Sequence, residues 1–193
     1  MAEKATLRDA RRSRRKPAQE RRQQLVREGV KSYLELGLGR AGHGDVARRA
    51  GVSTGTVFNY FPSRAALTDA VLDHVRETVF AIFEGFFRLE AQSDEAGSRV
   101  GTYLDAACRD HEPEVKLLLS WSRSFSPDIR PAYLDLQRDI LSRANGQMQG
   151  RAQAAVDTRI LLSWSLVYMQ MAFDGTQDAA MSRVVQRISD VFD

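Results

Sequence analysis

Apolar side chains recur every three or four residues from Leu25 almost to the end of the chain. This is the spacing of amphipathic α-helices. Runs of β-branched residues are short, and turn residues do not recur at the spacing of an all-β chain. The pattern therefore predicts an all-α protein. Its first helix should begin at Pro17, end in a glycine cluster and carry its apolar side chains on one face: Leu25, Val26, Val30, Tyr33, Leu34 and Leu36.

Two short helices with a tight turn between them are predicted at 44–50 and 54–60. Gly51 suits the left-handed position that ends a helix, and Ser53 or Thr54 can cap the second helix. Such a pair, following a first helix, is the layout of a helix-turn-helix DNA-reading unit.

A long helix should follow at 64–91, with Ser63 as its cap. Prolines punctuate the rest of the chain, where further helices are predicted near 94–110, 114–124, 128–149, 156–173 and 178–192. We expect three parts: an Arg-rich arm at 1–16, a three-helix DNA-binding domain at 17–63, and a helical domain at 64–193 for regulation and dimerisation.

The charge of the chain is unevenly distributed. The 193 residues carry a net charge of +3, but residues 1–64 hold 15 Lys and Arg against 6 Asp and Glu, a net +9, and the remainder 13 against 19, a net −6. A basic front and an acidic back are typical of a nucleic-acid module joined to a regulatory one. The alternative is a solvated basic tail on an ordinary domain.

Four residues around the second short helix are not needed for a core and should face outward together: Thr54, Gly55, Thr56 and Asn59. The small domain is held instead by Val46, Val52, Val57 and Phe61. Asn59 is suited to pair with adenine, and Thr54 or Thr56 to touch a thymine methyl group or a phosphate. Phe58 and Tyr60 offer aromatic contact with the sugar-phosphate backbone. The alternative is a solvated helical hairpin in a bundle.

Three further groups complete the candidate DNA contacts. Ser53 lies at the cap, and His43 lies in the glycine-rich approach, where it either contacts a phosphate or only caps a helix. The arm at 1–16 has almost nothing apolar, so it should be disordered alone. Its arginines are expected to reach into a narrow minor groove or to attract phosphates without sequence preference: Arg12, Arg14 and Arg15.

Catalytic and metal chemistry is not expected. The segment from Gly51 to Gly55 matches the G-x-S-x-G pattern of hydrolases, but that motif needs a strand before its serine. His43, His74 and His111 have no ligand spacing, and Cys108 is the only cysteine. We therefore expect no enzyme activity, no cofactor and no metal. The chain also has no apolar stretch long enough for a membrane span, so it is expected in the cytoplasm.

The stretch AGVSTGTVFNYFPSRAAL resembles the DNA-binding domain of the TetR family. More narrowly, GRAGHGDVA, TVFNYFP, the LDHV at 72–75 and the WSRS at 121–124 with Pro131 are similar to the LuxR/HapR-type quorum-sensing regulators of Vibrio. Arg12 and Arg14 resemble the Arg-x-Arg arm of that subgroup. The resemblance is specific over about 21–75. It implies a homodimer on a pseudo-palindromic operator of double-stranded DNA, and a protein that represses some promoters and activates others.

The resemblance also implies a pocket for a small apolar ligand in the back half of the chain. Its expected lining is Val79, Ile82, Phe83, Leu118, Trp121, Leu141 and Leu166. The alternative is that these side chains form a packed core.

The helix predicted at 156–173 is apolar nearly all round, so both of its faces need cover. A partner subunit is a natural cover for one face, through a two-fold interface of four helices. The expected interface residues are Leu161, Trp164, Tyr168, Met171, Val184 and Ile188. The alternative places both helices inside one subunit.

The leading hypothesis is a homodimeric, sequence-specific transcription regulator of the quorum-sensing type. A small-molecule-sensing TetR-type repressor unrelated to quorum sensing is the second. A helical ligand-binding protein or enzyme with an incidental basic front is the third.

Overall fold

The computed structural model of the chain describes residues 17–90, 96–147 and 154–174. These residues form eight α-helices and no strand, which confirms the predicted all-α fold. The helices are α1 (Ala18–Leu36), α2 (His43–Ala50), α3 (Thr54–Tyr60), α4 (Arg64–Glu90), α5 (Ala96–Asp110), α6 (Glu112–Ser122), α7 (Arg130–Gln147) and α8 (Ala154–Asp174). The arm at 1–16 and the helix predicted at 178–192 lie outside the described residues.

The chain forms two compact units, Met1–Leu72 and Asp73–Asp193, which are described separately. The sequence pattern places the end of the first domain at residue 63, whereas the first unit extends to Leu72. The start of α4 belongs to it because Tyr33 on α1 shares a hydrogen bond of 2.8 Å with Thr68 on α4. In addition, the backbone of α1 approaches α4 so closely that a Cβ at Gly29 would lie 2.6 Å from Val71 Cγ2.

The first unit is built on the apolar stripe predicted for α1. Leu25, Val30 and Tyr33 are almost completely buried, and α2 packs against both α1 and α3. Helix α1 begins one residue later than expected: Pro17 has ψ of 147°, so it precedes the helix as its N-cap instead of starting it. The glycine cluster ends α1 as predicted, with Gly37 at a φ of +88°.

The core of the second unit is formed by the apolar faces of its helices. The rest of α4 supplies Val75, Val79 and Phe86, all buried, and α8 packs against α5, α6 and α7. Helix α5 approaches α4 closely at Gly85, where a Cβ would lie 2.1 Å from Tyr103 Oη. Tyr103 Oη donates a hydrogen bond of 3.0 Å to the carbonyl of Ile82 there.

The connection between α6 and α7 contains the WSRS motif, and its residues have structural partners. Trp121 is 2% exposed and donates from Nε1 to the carbonyl of Ile129 over 3.2 Å. Arg130 donates to the carbonyl of Ser122 over 2.8 Å. The ring of Tyr133 packs edge-on against Trp121, with centroids 6.0 Å apart. These contacts fix the start of α7 against the end of α6.

Candidate nucleic-acid interface

The turn between α2 and α3 has the geometry expected from its sequence. Gly51 adopts the left-handed conformation, with φ of 65° and ψ of 37°, and ends α2. Ser53 precedes α3 in an extended conformation, and its Oγ accepts a hydrogen bond of 3.2 Å from the backbone N–H of Thr56. The predicted cap is therefore confirmed. The G-x-S-x-G match is a helix cap, because a helix and not a strand precedes the serine.

Helix α3 presents a polar face at the surface. Thr54, Gly55 and Asn59 are exposed, and Phe58 is 47% exposed. In contrast, Val57 is completely buried and anchors the helix. The face is therefore available to a molecule outside the unit, while one side chain holds α3 in the core.

Two of the expected DNA contacts are less available than the others. Thr56 is half-buried, and its hydroxyl shares a hydrogen bond of 2.9 Å with Ser53 Oγ. Tyr60 is also half-buried. Ser53 is itself exposed but committed to the cap.

Gly55 has room for a side chain. A Cβ built on it would meet only Ser53 Oγ, at 3.9 Å, which is ordinary van der Waals contact, and its φ is not in the left-handed region. The fold therefore does not require glycine here. Alanine would even stabilise the helix by about 1 kcal/mol. A glycine at such a surface position permits close approach of an external surface.

His43 has a different placement from the one the sequence pattern indicated. It is the first residue of α2, is only 7% exposed and has its Nε2 at 2.7 Å from the carbonyl oxygen of Phe61. The cap of α2 is Gly42, whose N–H donates to Asp45 Oδ2 over 3.0 Å. A buried imidazole that already has a backbone partner offers little to a phosphate, so this placement does not favour the expected phosphate contact of His43.

Several arginines surround the turn at the surface. Arg48 is exposed and pairs with Asp45 at 2.9 Å, while Arg49 pairs with Glu35 and with Glu28, the latter at 3.7 Å. Arg64, at the start of α4, donates to the carbonyl of Gly39. Exposed ion pairs of this kind contribute little to stability, so Arg48 and Arg49 can exchange a carboxylate partner for a phosphate at low cost. The arm residues Arg12, Arg14 and Arg15 lie outside the described residues.

Residues 26–71, which contain this interface, match the family described as bacterial regulatory proteins, tetR family. This segment of the chain is therefore similar to the DNA-binding domain of TetR-family regulators. It is 31% identical over 118 residues to the HTH-type transcriptional regulator LuxR of Vibrio harveyi, a match that covers 61% of this chain and 58% of that regulator. It is also 30% identical over 119 residues to the HTH-type transcriptional regulator BetI of Burkholderia mallei, covering 61% of this chain and 60% of that one. The matches thus span less than two thirds of these curated TetR-family relatives.

The fold of the chain is similar to solved TetR-family structures along most of its length. For the fatty acid degradation regulator FadR from Bacillus halodurans the TM-score is 0.66 at 12% identity, with 93% of this chain and 96% of that chain covered. Because the sequence identity is so low, this similarity is evidence for a shared fold only. TetR-family regulators, to which residues 26–71 are similar, are DNA-binding proteins.

The residues expected to line a ligand pocket are largely core residues. The most buried of them are at most 4% exposed: Val79, Ile82, Phe83, Leu118 and Trp121. Leu141 and Leu166 are half-buried. An open groove of about 490 Å³ lies on α7 and α8, lined by Leu134, Gln137, Arg138, Leu141, Ser142 and Arg159. Only Leu141 belongs to both sets, so the predicted pocket stays a prediction.

Helix α8 carries an apolar stripe at the surface. Its residues coincide only in part with those expected at a dimer interface. Ile160 is 38% exposed and Val167 50% exposed, and the half-buried Trp164 and Met171 share their side of the helix. Tyr168, expected at a dimer interface, is 7% exposed and bonded within its own chain. Because α8 is apolar nearly all round, its sequence could not show which of these side chains face inward and which are exposed. The side chain of Leu161 and residues Val184 and Ile188 lie outside the described part of the chain.

The remaining reactive groups have structural explanations. Cys108 is 3% exposed, and burial, reinforced by the charge of Asp105, raises the pKa of its thiol to about 11. Among the described residues, no cluster of His, Cys, Asp and Glu could hold a metal ion. Within the same residues, no helix has both the length and the apolar character needed to cross a bilayer.

Proposed function

We propose that this chain is a sequence-specific DNA-binding transcription regulator that acts as a homodimer. The observation that carries the proposal is the face of α3, where Thr54, Gly55 and Asn59 are exposed next to a buried Val57. None of these polar residues serves the core, and their chemistry suits base edges in a major groove. Residues 17–63 would read DNA, and 64–193 would form the dimer and respond to a ligand.

A two-fold dimer would place two copies of α3 in successive major grooves, so the operator should be pseudo-palindromic, with half-sites about one helical turn or more apart. The exposed stripe on α8, whose most exposed members are Ile160 and Val167, supports a subunit interface because isolated subunits rarely expose apolar rows on a helix. Binding to DNA implies that the protein works in the cytoplasm, at the nucleoid when bound.

Two types of regulation are proposed for this protein, and each is supported by a different relative. The likeness to LuxR favours a quorum-sensing regulator that both represses and activates, as does the resemblance of segments 39–47, 56–62, 72–75 and 121–124 to LuxR/HapR-type regulators. The likeness to BetI favours a small-molecule-sensing repressor outside quorum sensing. The wider motif agreement leads us to prefer the quorum-sensing type. Transcript profiles of a deletion strain at low and high cell density separate the two.

The DNA-reading role is tested by selecting bound duplexes from a random pool with the full-length protein. We expect a two-fold symmetric site. Asn59→Ala should then weaken binding to that site by about tenfold, since a bidentate contact to a base contributes roughly 1–3 kcal/mol. Enrichment of no sequence at all would contradict the proposal.

Gly55→Ala gives a sharper test because it separates folding from binding. The added methyl group has room within the unit, so the thermal midpoint should stay the same or rise. Affinity for the selected site should nevertheless fall, because the methyl group lies between α3 and the DNA. Gly39→Ala is the matched control, since a Cβ at Gly39 meets nothing within 4 Å and the residue lies outside α3. Its affinity should equal that of the wild type.

A further inference from the structure

His43 makes two separate contacts with the same helix. Its imidazole stacks on the ring of Phe58, with centroids 3.9 Å apart and planes 5° from parallel. Its Nε2 lies 2.7 Å from the carbonyl oxygen of Phe61, so the hydrogen is on Nε2 and the carbonyl accepts it. Phe58 lies within α3 and Phe61 is its C-cap. One side chain of α2 therefore holds the last turn of α3 at two points.

Helix α3 depends on such contacts for its position. It has only seven residues, and Val57 is its only buried residue. A helix this short has almost no stability of its own, so its orientation is set by what it packs against. A single anchor near the middle would leave rotation about the helix axis poorly restrained.

The two contacts of His43 restrain different motions. The stack holds the face of the Phe58 ring and so limits rotation of α3, while the hydrogen bond fixes the position of its end at Phe61. Asn59 follows Phe58 directly and is turned from it by about 100° around the axis. The direction of the Asn59 amide is thus tied to the stack on the neighbouring residue.

We propose that His43 is a positioning residue for DNA recognition, which sets the rotation of α3 through Phe58 and Phe61 without touching DNA itself. This role rests on the proposed function of α3. It differs from a phosphate contact because it concerns discrimination between sequences, not overall attraction to DNA.

The surroundings of His43 allow its two contacts to be removed separately. Arg22 lies over the Phe61 ring at 5.3 Å, and Asp45 caps α2 through the N–H of Gly42. Neither uses the imidazole, so the turn keeps these supports in variants at position 43. His43→Phe retains a ring for the stack and loses the donor, while His43→Gln retains a donor and loses the ring. His43→Ala loses both.

The experiment measures the dissociation constants of the wild type and the three variants for the selected operator and for a scrambled duplex of equal length. Discrimination is measured as the dissociation constant for the scrambled duplex divided by that for the operator. Thermal unfolding measures stability. We expect His43→Ala to lower the ratio by about tenfold with little change on the scrambled duplex. His43→Phe and His43→Gln should each give an intermediate ratio.

Asp45→Ala is the control for a merely structural role. It removes the cap bond of α2 and the pair with Arg48, without a contact to α3. It should lower the thermal midpoint and leave the ratio unchanged.

A ratio that keeps its wild-type value in all three variants overturns the role of His43. If both affinities fall equally while the ratio stays the same, His43 contacts a phosphate instead. If His43→Ala does not fold, the ratios of the Phe and Gln variants decide in the same way. A wild type without any sequence preference would instead overturn the proposed function of α3, and this role with it.

Discussion

Tyr168 Oη donates a hydrogen bond to Asp105 Oδ1 over 2.9 Å and so joins α8 to α5 within one chain. Burial raises the pKa of Tyr168, and the hydrogen bond and charge of Asp105 raise it further, so the hydroxyl stays protonated. The bond fixes which side of α8 faces the interior. Ile160 and Val167 lie on a different, exposed side of the helix, since Val167 is turned from Tyr168 by about 100° around the axis.

Tyr168→Phe should destabilise the fold of each subunit without dissociating the proposed dimer. The variant loses the hydroxyl that Asp105 accepts from, and a hydrogen bond of this type contributes about 1–2 kcal/mol to the free energy of unfolding. Urea unfolding at a fixed protein concentration measures the loss, and sedimentation velocity measures the oligomeric state. A variant of wild-type stability that runs as a monomer would place Tyr168 at the subunit interface after all.

Val167→Glu should weaken the proposed dimer strongly. At a subunit interface the new carboxylate would be buried without a partner, at a cost of roughly 3–5 kcal/mol. The dimer dissociation constant should therefore rise by at least about 100-fold, as measured by sedimentation equilibrium. The control is Phe125→Glu, which removes a side chain that is 82% exposed but lies outside α8. If Phe125→Glu dissociates the dimer and Val167→Glu does not, the interface lies elsewhere.

Removal of residues 1–16 should lower affinity for DNA and flatten its dependence on salt. Each phosphate contact that is lost reduces the slope of log K against log salt by about 0.9. The preferred half-site should not change, because an arm in the minor groove would respond to groove width and charge and not to base edges. Titrations with the selected duplex at several salt concentrations measure both quantities. An unchanged slope would show that the arm makes no phosphate contacts.

Glu114→Gln should reduce the loss of stability in acid. Burial tends to raise the pKa of Glu114, but hydrogen bonds from His74 and the backbone, with the charges of His74 and His111, outweigh it and hold the pKa below its ordinary 4.5. His74 Nε2 lies 3.1 Å from Glu114 Oε1. A depressed carboxyl pKa contributes stability that is present above the unfolded value and lost as pH falls below it.

The wild type should therefore lose unfolding free energy below about pH 4.5 more steeply than Glu114→Gln does. Urea unfolding at stepwise lower pH gives both curves. Glu112→Gln is the matched control, because Glu112 lies on the same helix with a side chain that is 54% exposed and pairs only with Lys116 among the described residues. If the two variants have the same acid slope, the pair of His74 and Glu114 does not contribute.

Local features of the structure agreed with the sequence wherever neighbouring residues decide them. Gly51 takes the left-handed turn because it lacks a Cβ, and Ser53 caps α3 because its oxygen reaches the N–H of a residue three positions later. The helices followed from the spacing of their apolar residues. The apolar spacing did not predict the hydrogen bond that Asp45 accepts from the N–H of Gly42. A G-x-x-D spacing before an apolar pair could have indicated it.

By itself the sequence determined that the chain is helical, where its helices turn, and that α3 carries short polar residues with no part in a core. Only the tertiary structure decided that His43 turns inward onto α3, that the first unit takes in the start of α4, and that Tyr168 faces α5. Caps and periodicity act between residues a few positions apart. The side of an almost wholly apolar helix that lies inward is instead set by contacts with residues far away along the chain, because periodicity cannot separate its faces.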